Sequence, residues 1–311
     1  MRVHYGFEEL GTIRNPVVTT GSFDGVHVGH KTIINRIKEI AKEIKGESVL
    51  ITFYPHPRKV LYPETEGKDL LFINSQKEKL VLLAKSGLDH LIIVRFSLEF
   101  SKITSEEFIK GILLGKLHAK CIVVGFNHHF GHNRVGDYEY LYRLSKVEGF
   151  RVEEIPEQDI HHETVSSTTI RKALLDGRIQ RANAYLDHLY IIIGGLGKGH
   201  NIFSKANFPM LTVQLEEVGK LIPPDGVYAV GLEWGKGKFR GLSVISRSLA
   251  DENPFGVIVQ VHIIDFDGQF PDADAIIFFH KRVRESFDAT SLESISRQLT
   301  KDLQYVDALI F

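Results

Sequence analysis

The sequence predicts an α/β protein in two parts: a Rossmann-like unit with a parallel sheet, then an antiparallel β-barrel with a terminal helix. Three observations predict it. In the first half, short apolar runs alternate with stretches of helical period, the pattern of a parallel sheet with crossover helices. After about residue 187 strand-like runs follow one another with Gly, Pro and Asp between them, as in a barrel. Near the end Leu292, Ile295, Leu299 and Leu303 recur at steps of three and four, giving a helix with one apolar stripe. A chain of 311 residues fits two compact domains, and the change of texture divides them into 1–187 and 188–311.

In chain order, Val17 to Thr20 forms a short buried strand, a glycine-rich loop runs to Gly29, and Ile33, Ile34, Ile37 and Ile40 line one face of a helix. Further strands are expected at 48–53, 90–95, 121–125 and 151–155, with helices near 75–85 and 105–114. Ligands of such sheets gather beyond the carboxyl ends of the strands. The loops after Thr20, Phe53 and Gly125 are therefore expected to converge. Barrel strands are expected at 190–193, 211–215, 226–232, 239–245, 257–266 and 275–279. The glycine-rich run from Gly194 to His200 lacks the Gly-Lys-Ser/Thr ending of a P-loop and reads as a turn in a hairpin.

Composition narrows the function classes. With 43% hydrophobic and 25% charged residues the chain is of ordinary globular type, and 38 basic against 39 acidic residues leave a net charge of -1. No basic field for nucleic acid is present. No apolar run approaches the roughly 18 residues that span a bilayer. The N-terminus lacks the apolar core of a signal peptide, and Cys121, the single cysteine, reads as a packed strand residue. A cytoplasmic protein without membrane or nucleic-acid partners is expected.

The strongest chemical signal is Gly21-Ser22-Phe23-Asp24-Gly25-Val26-His27-Val28-Gly29-His30, between a strand and a helix. Glycines let backbone approach a polyphosphate, and the helix start offers free N–H groups to anionic oxygens. His27 and His30, three apart, can face one side and donate hydrogen bonds to charge growing on an α-phosphate. The plainer alternative makes them a capping and a surface histidine. A second element, Val165-Ser166-Ser167-Thr168-Thr169-Ile170-Arg171, puts hydroxyls at a helix start and a guanidinium one turn inside. Arg171 can grip β- and γ-phosphates, with Ser166 or Thr168 adding hydroxyl contacts. Thr52-Phe53-Tyr54-Pro55-His56-Pro57 is a stiff strand exit that sets His56 and Pro57 at the crevice. The run from Gly125 to Arg134 brings Phe126, Asn127 and Phe130, aromatics for a ring system beside polar groups. The spacing of His128, His129, His132, His161 and His162 matches no zinc template, so no protein-held metal is assigned.

These residues resemble the prokaryotic bifunctional riboflavin kinase/FMN adenylyltransferase family, or FAD synthetases. The motifs Gly-x-Phe-Asp-Gly-x-His-x-Gly-His, Thr-Phe-x-Pro-His-Pro, Gly-Phe-Asn-x-x-Phe-Gly and Ser-Ser-Thr-x-Ile-Arg occur here in family order. The resemblance implies that AMP passes from ATP to FMN with release of pyrophosphate. In that reading His27 and His30 contact ATP phosphates, Asn127 helps hold the nucleotide, Ser166, Ser167, Thr168 and Arg171 clamp the triphosphate, and Mg²⁺ rides mainly on ATP. The second half resembles the riboflavin kinase barrel through Gly-Val-Tyr-Ala-Val at 226–230 and Val-His-Ile-Ile-Asp-Phe at 261–266. Its family motif Gly-Phe-Pro-Thr-Ala-Asn falls on Asn207, Phe208, Pro209, Met210, Leu211 and Thr212, and Phe203 and Ser204 replace a glycine and an arginine. Met210 offers no oxygen where a hard cation needs one, and Thr212 compensates only in part. Gln260 stands where the family has its glutamate base. A barrel with weak or absent kinase activity is therefore expected. The alternatives are a fully bifunctional enzyme, a nucleotidyltransferase for another phosphorylated acceptor, and a non-catalytic flavin or nucleotide binder.

Overall fold

The structure, a computed structural model, describes residues 1–8, 10–126, 128–160, 163–198, 203, 208–247, 256–266, 273–285 and 291–309. The chain divides into two compact units, one built from Met1–Leu70 and Lys79–Ser166, the other from Leu71–Glu78 and Ser167–Phe311.

The first unit is organised by a six-stranded parallel sheet. In chain order its strands are β1 (Arg2–Tyr5), β2 (Val17–Thr20), β3 (Ser48–Tyr54), β4 (His90–Arg95), β5 (Cys121–Gly125) and β6 (Arg151–Ile155), and their order across the sheet is β1-β4-β3-β2-β5-β6. From β2 the chain steps outward to β3 and β4 on one side and later to β5 and β6 on the other. The neighbours β2 and β5 thus flank the point where strand order reverses, the usual crevice of an open α/β sheet. Buried positions Val17, Val18, Val49, Leu50, Ile51, Leu91, Ile92, Ile122 and Val123 explain the near-continuous apolar runs, because both faces are covered. Helix α1 (Val28–Glu43) buries Ile34, Ile37, Ile40 and Ala41 against one face, as the three-and-four spacing predicts. The predicted helix near 105–114 is present at Glu107–Lys116 with the wide pitch of a π-helix.

Further helices among the described residues are α2 (Pro57–Leu61), α3 (Gln76–Ala84), α4 (Tyr138–Glu148), α5 (Ser167–Leu175) and α6 (Ile179–Leu186). Helices α5 and α6, read from the sequence as part of domain 1–187, fall in the second unit. Asn183 accounts for this: its Nδ2 donates to Phe279 O at 2.9 Å and its Oδ1 accepts from Tyr190 N at 2.7 Å.

A two-residue hairpin, β7 (Asp159–Ile160) with β8 (Glu163–Thr164), completes the first unit. The second unit is a closed antiparallel barrel. Its strands are β9 (Tyr190–Lys198), β10 (Leu211–Gln214), β11 (Gly226–Trp234), β12 (Gly237–Ser246), β13 (Ile258–Ile263) and β14 (Ala275–Arg284), joined as β10-β13-β12-β11-β14-β9. The expected turn after residue 193 is corrected here: Gly194 to Lys198 continue strand β9. Residues 190–194 pair with β14, and 195–198 pair with β10, so β9 closes the barrel by changing partner. Glycine serves this corner, since a Cβ on Gly194 would lie 2.2 Å from Gln214 O. The predicted terminal helix is α7 (Leu292–Leu309), which buries Ile295, Leu299 and Val306.

A segment distant in sequence is built into the second unit. Lys220 Nζ donates to Glu78 Oε2 at 2.6 Å, to Ile73 O at 2.5 Å and to Ile191 O at 3.0 Å. Glu78 also accepts from Ile193 N at 3.0 Å and Ser75 N at 2.9 Å. The pair is almost wholly buried, 4% and 1% exposed, and every charged atom has hydrogen-bond partners, the condition under which a buried ion pair is tolerated.

Candidate active site

In the first unit the loops that follow β2 and β5 meet at the reversal point. Thr20, the last residue of β2, places its Oγ1 3.2 Å from His128 Nε2. The loop from Gly21 carries three residues at positive φ, Phe23 at 50°, Gly25 at 92° and Val26 at 42°. Positive φ is costly for Phe and more so for β-branched Val, so this turn is held by its surroundings. Two side chains do so through one atom: Thr52 Oγ1 donates to Ser22 O at 3.1 Å and Lys79 Nζ donates to the same oxygen at 3.0 Å. Asp24 is buried at 2% exposure within the turn.

The turn delivers two imidazoles to the start of α1. His27 occupies the N-cap with extended backbone and no side-chain capping bond, so the capping alternative does not describe it. The His27 and His30 rings stack at 3.6 Å between centroids, 22° apart, and Phe23 lies 4.7 Å from His30. The glycines serve the rings as well as the backbone. A Cβ on Gly29 would sit 3.3 Å from the His27 ring, and one on Gly21 would sit 3.0 Å from Phe23. His30 is held well below its ordinary pKa, first by burial, then by the nearby charges of His27 and Lys79. It is therefore a neutral ring at neutral pH. Its Nδ1 is buried with no hydrogen-bond partner among the described residues. No acidic residue occupies the first turn of α1, leaving the positive end of the helix open to an anion.

Other predicted residues are placed as follows. His56 caps α2, its Nδ1 accepting from Arg58 N at 3.2 Å, with Pro57 as the first helical residue. Phe130 is half-buried, pairs across to Gly136, and packs against His128 and Phe108 at 5.9 and 6.3 Å. Asn127, Ser204 and Asn207 lie outside the described residues, as do His161 and His162. Ser166 ends the first unit, Ser167 begins α5, and Thr168 is exposed. Arg171, in the second unit, donates from Nε to Leu71 O at 2.7 Å. Lys79 and Thr20 carry no distinguishing pattern in the sequence, being a helical lysine and a strand threonine, whereas Thr52 stands there only as the first residue of the strand-exit motif.

In the second unit Gln260 is 3% exposed and donates from Nε2 to Thr212 Oγ1 at 3.2 Å, its cross-strand neighbour. Met210 and Phe203 are buried with Phe208, Val227, Leu242 and Val244 against α7. Among the described residues no group of three or more His, Cys, Asp or Glu could hold a metal ion, and no helix is long and apolar enough to cross a membrane.

A parallel sheet with an imidazole-bearing helix start at its switch point, followed by a closed six-stranded barrel, defines a two-part nucleotide-binding transferase. The family model for FAD synthetase matches residues 11–169, and that for riboflavin kinase matches 186–310. A bifunctional riboflavin kinase/FMN adenylyltransferase of Buchnera aphidicola is 30% identical, with 98% of each chain covered. The protein of the same name from Bacillus subtilis is 30% identical over 93% of this chain and 90% of its own. A solved chain from Streptococcus pneumoniae, described as a macrolide-efflux protein, superposes with a TM-score of 0.86 at 25% identity, covering 98% of both chains. The chain belongs to the bifunctional riboflavin kinase/FMN adenylyltransferase family.

Proposed function

We propose that this chain makes FAD by transferring AMP from ATP to FMN, and that its barrel phosphorylates riboflavin to supply that FMN. The observation that carries the first reaction is the stacked imidazole pair at the open N-terminus of α1, with His30 held neutral. An FMN phosphate oxygen attacks the α-phosphorus of ATP, the bond to the β-phosphate oxygen breaks, and pyrophosphate leaves. The nucleophile is already anionic, so positioning and charge neutralisation serve better than proton transfer. In this reading His27 and His30 hydrogen-bond the α-phosphate and the Phe23–Val26 turn shapes the approach. Magnesium enters with ATP as part of the substrate. A cytoplasmic setting belongs to the same proposal.

The kinase half rests on different support. Both family models are matched, and relatives spanning nearly the whole chain are named for both activities. These findings favour the bifunctional alternative over the weak or absent kinase expected from Met210 and Gln260. Two separate assays test the proposal. Purified protein with FMN and MgATP should release pyrophosphate and FAD, and silence there removes the adenylyltransferase reading. With riboflavin and MgATP it should form FMN and then FAD; no product would return the barrel to a scaffold.

A further inference from the structure

A kinase that phosphorylates a hydroxyl gains by removing its proton, and Gln260 cannot accept one because its side chain is an amide. Its Nε2 is engaged with Thr212 Oγ1 at 3.2 Å. On a strand the residue two further on shares the same face, and on β13 that residue is His262. The register agrees: Gln260 pairs with Val244 and His262 with Leu242 across β12. Both partners belong to the cluster of Phe208, Met210 and α7, so this face carries the motif residues of the barrel.

The geometry points to His262 as the general base of the barrel, taking the proton of the acceptor hydroxyl on Nε2 in place of a carboxylate at 260. This rests on the kinase half of the function proposed above. Nδ1 of His262 lies 2.8 Å from Pro209 O. A carbonyl oxygen only accepts, so Nδ1 carries the proton, and the neutral ring must present a lone pair at Nε2. Nε2 has no hydrogen-bond partner among the described residues, and the ring is half-buried, with Phe208 at 4.2 Å. The same bond ties the base to the segment 208–210 that leads into β10.

The ring is neutral near pH 7, because burial lowers its pKa against the opposing hydrogen bond to Pro209. Of the charged groups on the neighbouring strand β12 and on α7, Arg240 pairs with Asp307 at 2.7 Å, and Asp302 of α7 is held by Arg284 at 2.8 Å. β10 and the segment 208–210 present none. In the step, the hydroxyl proton moves to Nε2 while the oxygen bonds to the γ-phosphorus of ATP. The bond from that phosphorus to the β-phosphate oxygen breaks, ADP leaves, and the imidazolium later returns its proton to water.

The test follows FMN plus FAD formed from riboflavin and MgATP between pH 5 and 9, in wild type, His262→Asn, and His262→Asn with Gln260→Glu. Asparagine keeps a donor where Nδ1 stood but has no base, so holding Pro209 and taking a proton are separated. Wild-type kcat/KM should fall with an imidazole limb below about pH 6.5. His262→Asn should lose about 10²-fold or more and that limb. The double variant should regain rate with its limb moved into the carboxylate range. Circular dichroism reports folding of each variant. If His262→Asn keeps the wild-type rate and limb, or if the double variant folds and regains nothing, the base assignment falls while the kinase reading stands. If wild type forms no product from riboflavin, both fall together.

Discussion

His27 and His30 gain their character from one another. Two imidazoles stacked at 3.6 Å beside a lysine ammonium cannot both be charged without strong repulsion, and His30 is accordingly held neutral. A neutral ring donates a hydrogen bond to a phosphate and competes with no proton for it. Replacing His27 or His30 by alanine should lower adenylyl transfer by roughly 10²-fold or more, as loss of a transition-state donor commonly does. Thermal melts should change little, and normal turnover in both variants would refute the roles. The depressed pKa of His30 also sets a sign for stability. The unfolded chain binds a proton near pH 6.5 that the folded chain refuses, so stability is full above that pH and declines as pH falls toward the depressed value. Urea midpoints at pH 7 and pH 5 should show this decline in wild type and less of it in His30→Gln. Lys79 acts at the same scale, because its ammonium holds Ser22 O and faces His30 electrostatically.

At the scale of elements, the glycines that read as phosphate-loop residues have a second task. Gly29 leaves room for the His27 ring over the first turn of α1. Gly29→Ala would set a Cβ 3.3 Å from the His27 ring, tighter than an ordinary contact, and should shift that ring and lower the rate, since transfer depends on exact placement. The expected signature is a lower kcat in FMN adenylylation without loss of α1, read by circular dichroism. The second unit offers a stability test. Lys220→Met leaves the Glu78 carboxylate buried without its cation, and breaking such a pair costs about 3–5 kcal/mol. Adding Glu78→Gln should recover part of the loss in urea denaturation. A single variant as stable as wild type would show that the pair contributes nothing.

At the scale of the whole molecule, both architectures were legible because their periods differ: β2, β3, β4, β5, β6 and α1 follow the apolar runs almost to the residue. Strand β1 was not, since Arg2–Tyr5 is largely exposed and has no apolar alternation to betray it. The continuation of β9 through Gly194–Lys198 was hidden because glycine signals a turn locally, while closure of the barrel requires it in a strand. Of the site, the loop 21–30 was legible as a motif, but the stacking of its rings and the pins on Ser22 O were not. Those contacts come from residues 52 and 79, far along the chain. Magnesium gives a prediction for the molecule as a whole. Where magnesium enters with ATP, as proposed, chelation should abolish turnover yet leave the melting temperature of substrate-free protein unchanged.

The insertion of Leu71–Glu78 into the second unit governs how this gene can be divided. A fragment starting at residue 187 would carry Lys220 into the barrel stripped of its carboxylate and of the Ile73 carbonyl. Such a fragment should be recovered in inclusion bodies or as a poorly folded species, whereas supplying residues 71–78 as a tethered peptide should restore its cooperative melting. Separating the two proposed activities is therefore a matter for point substitutions, since a single cut should not release an intact barrel.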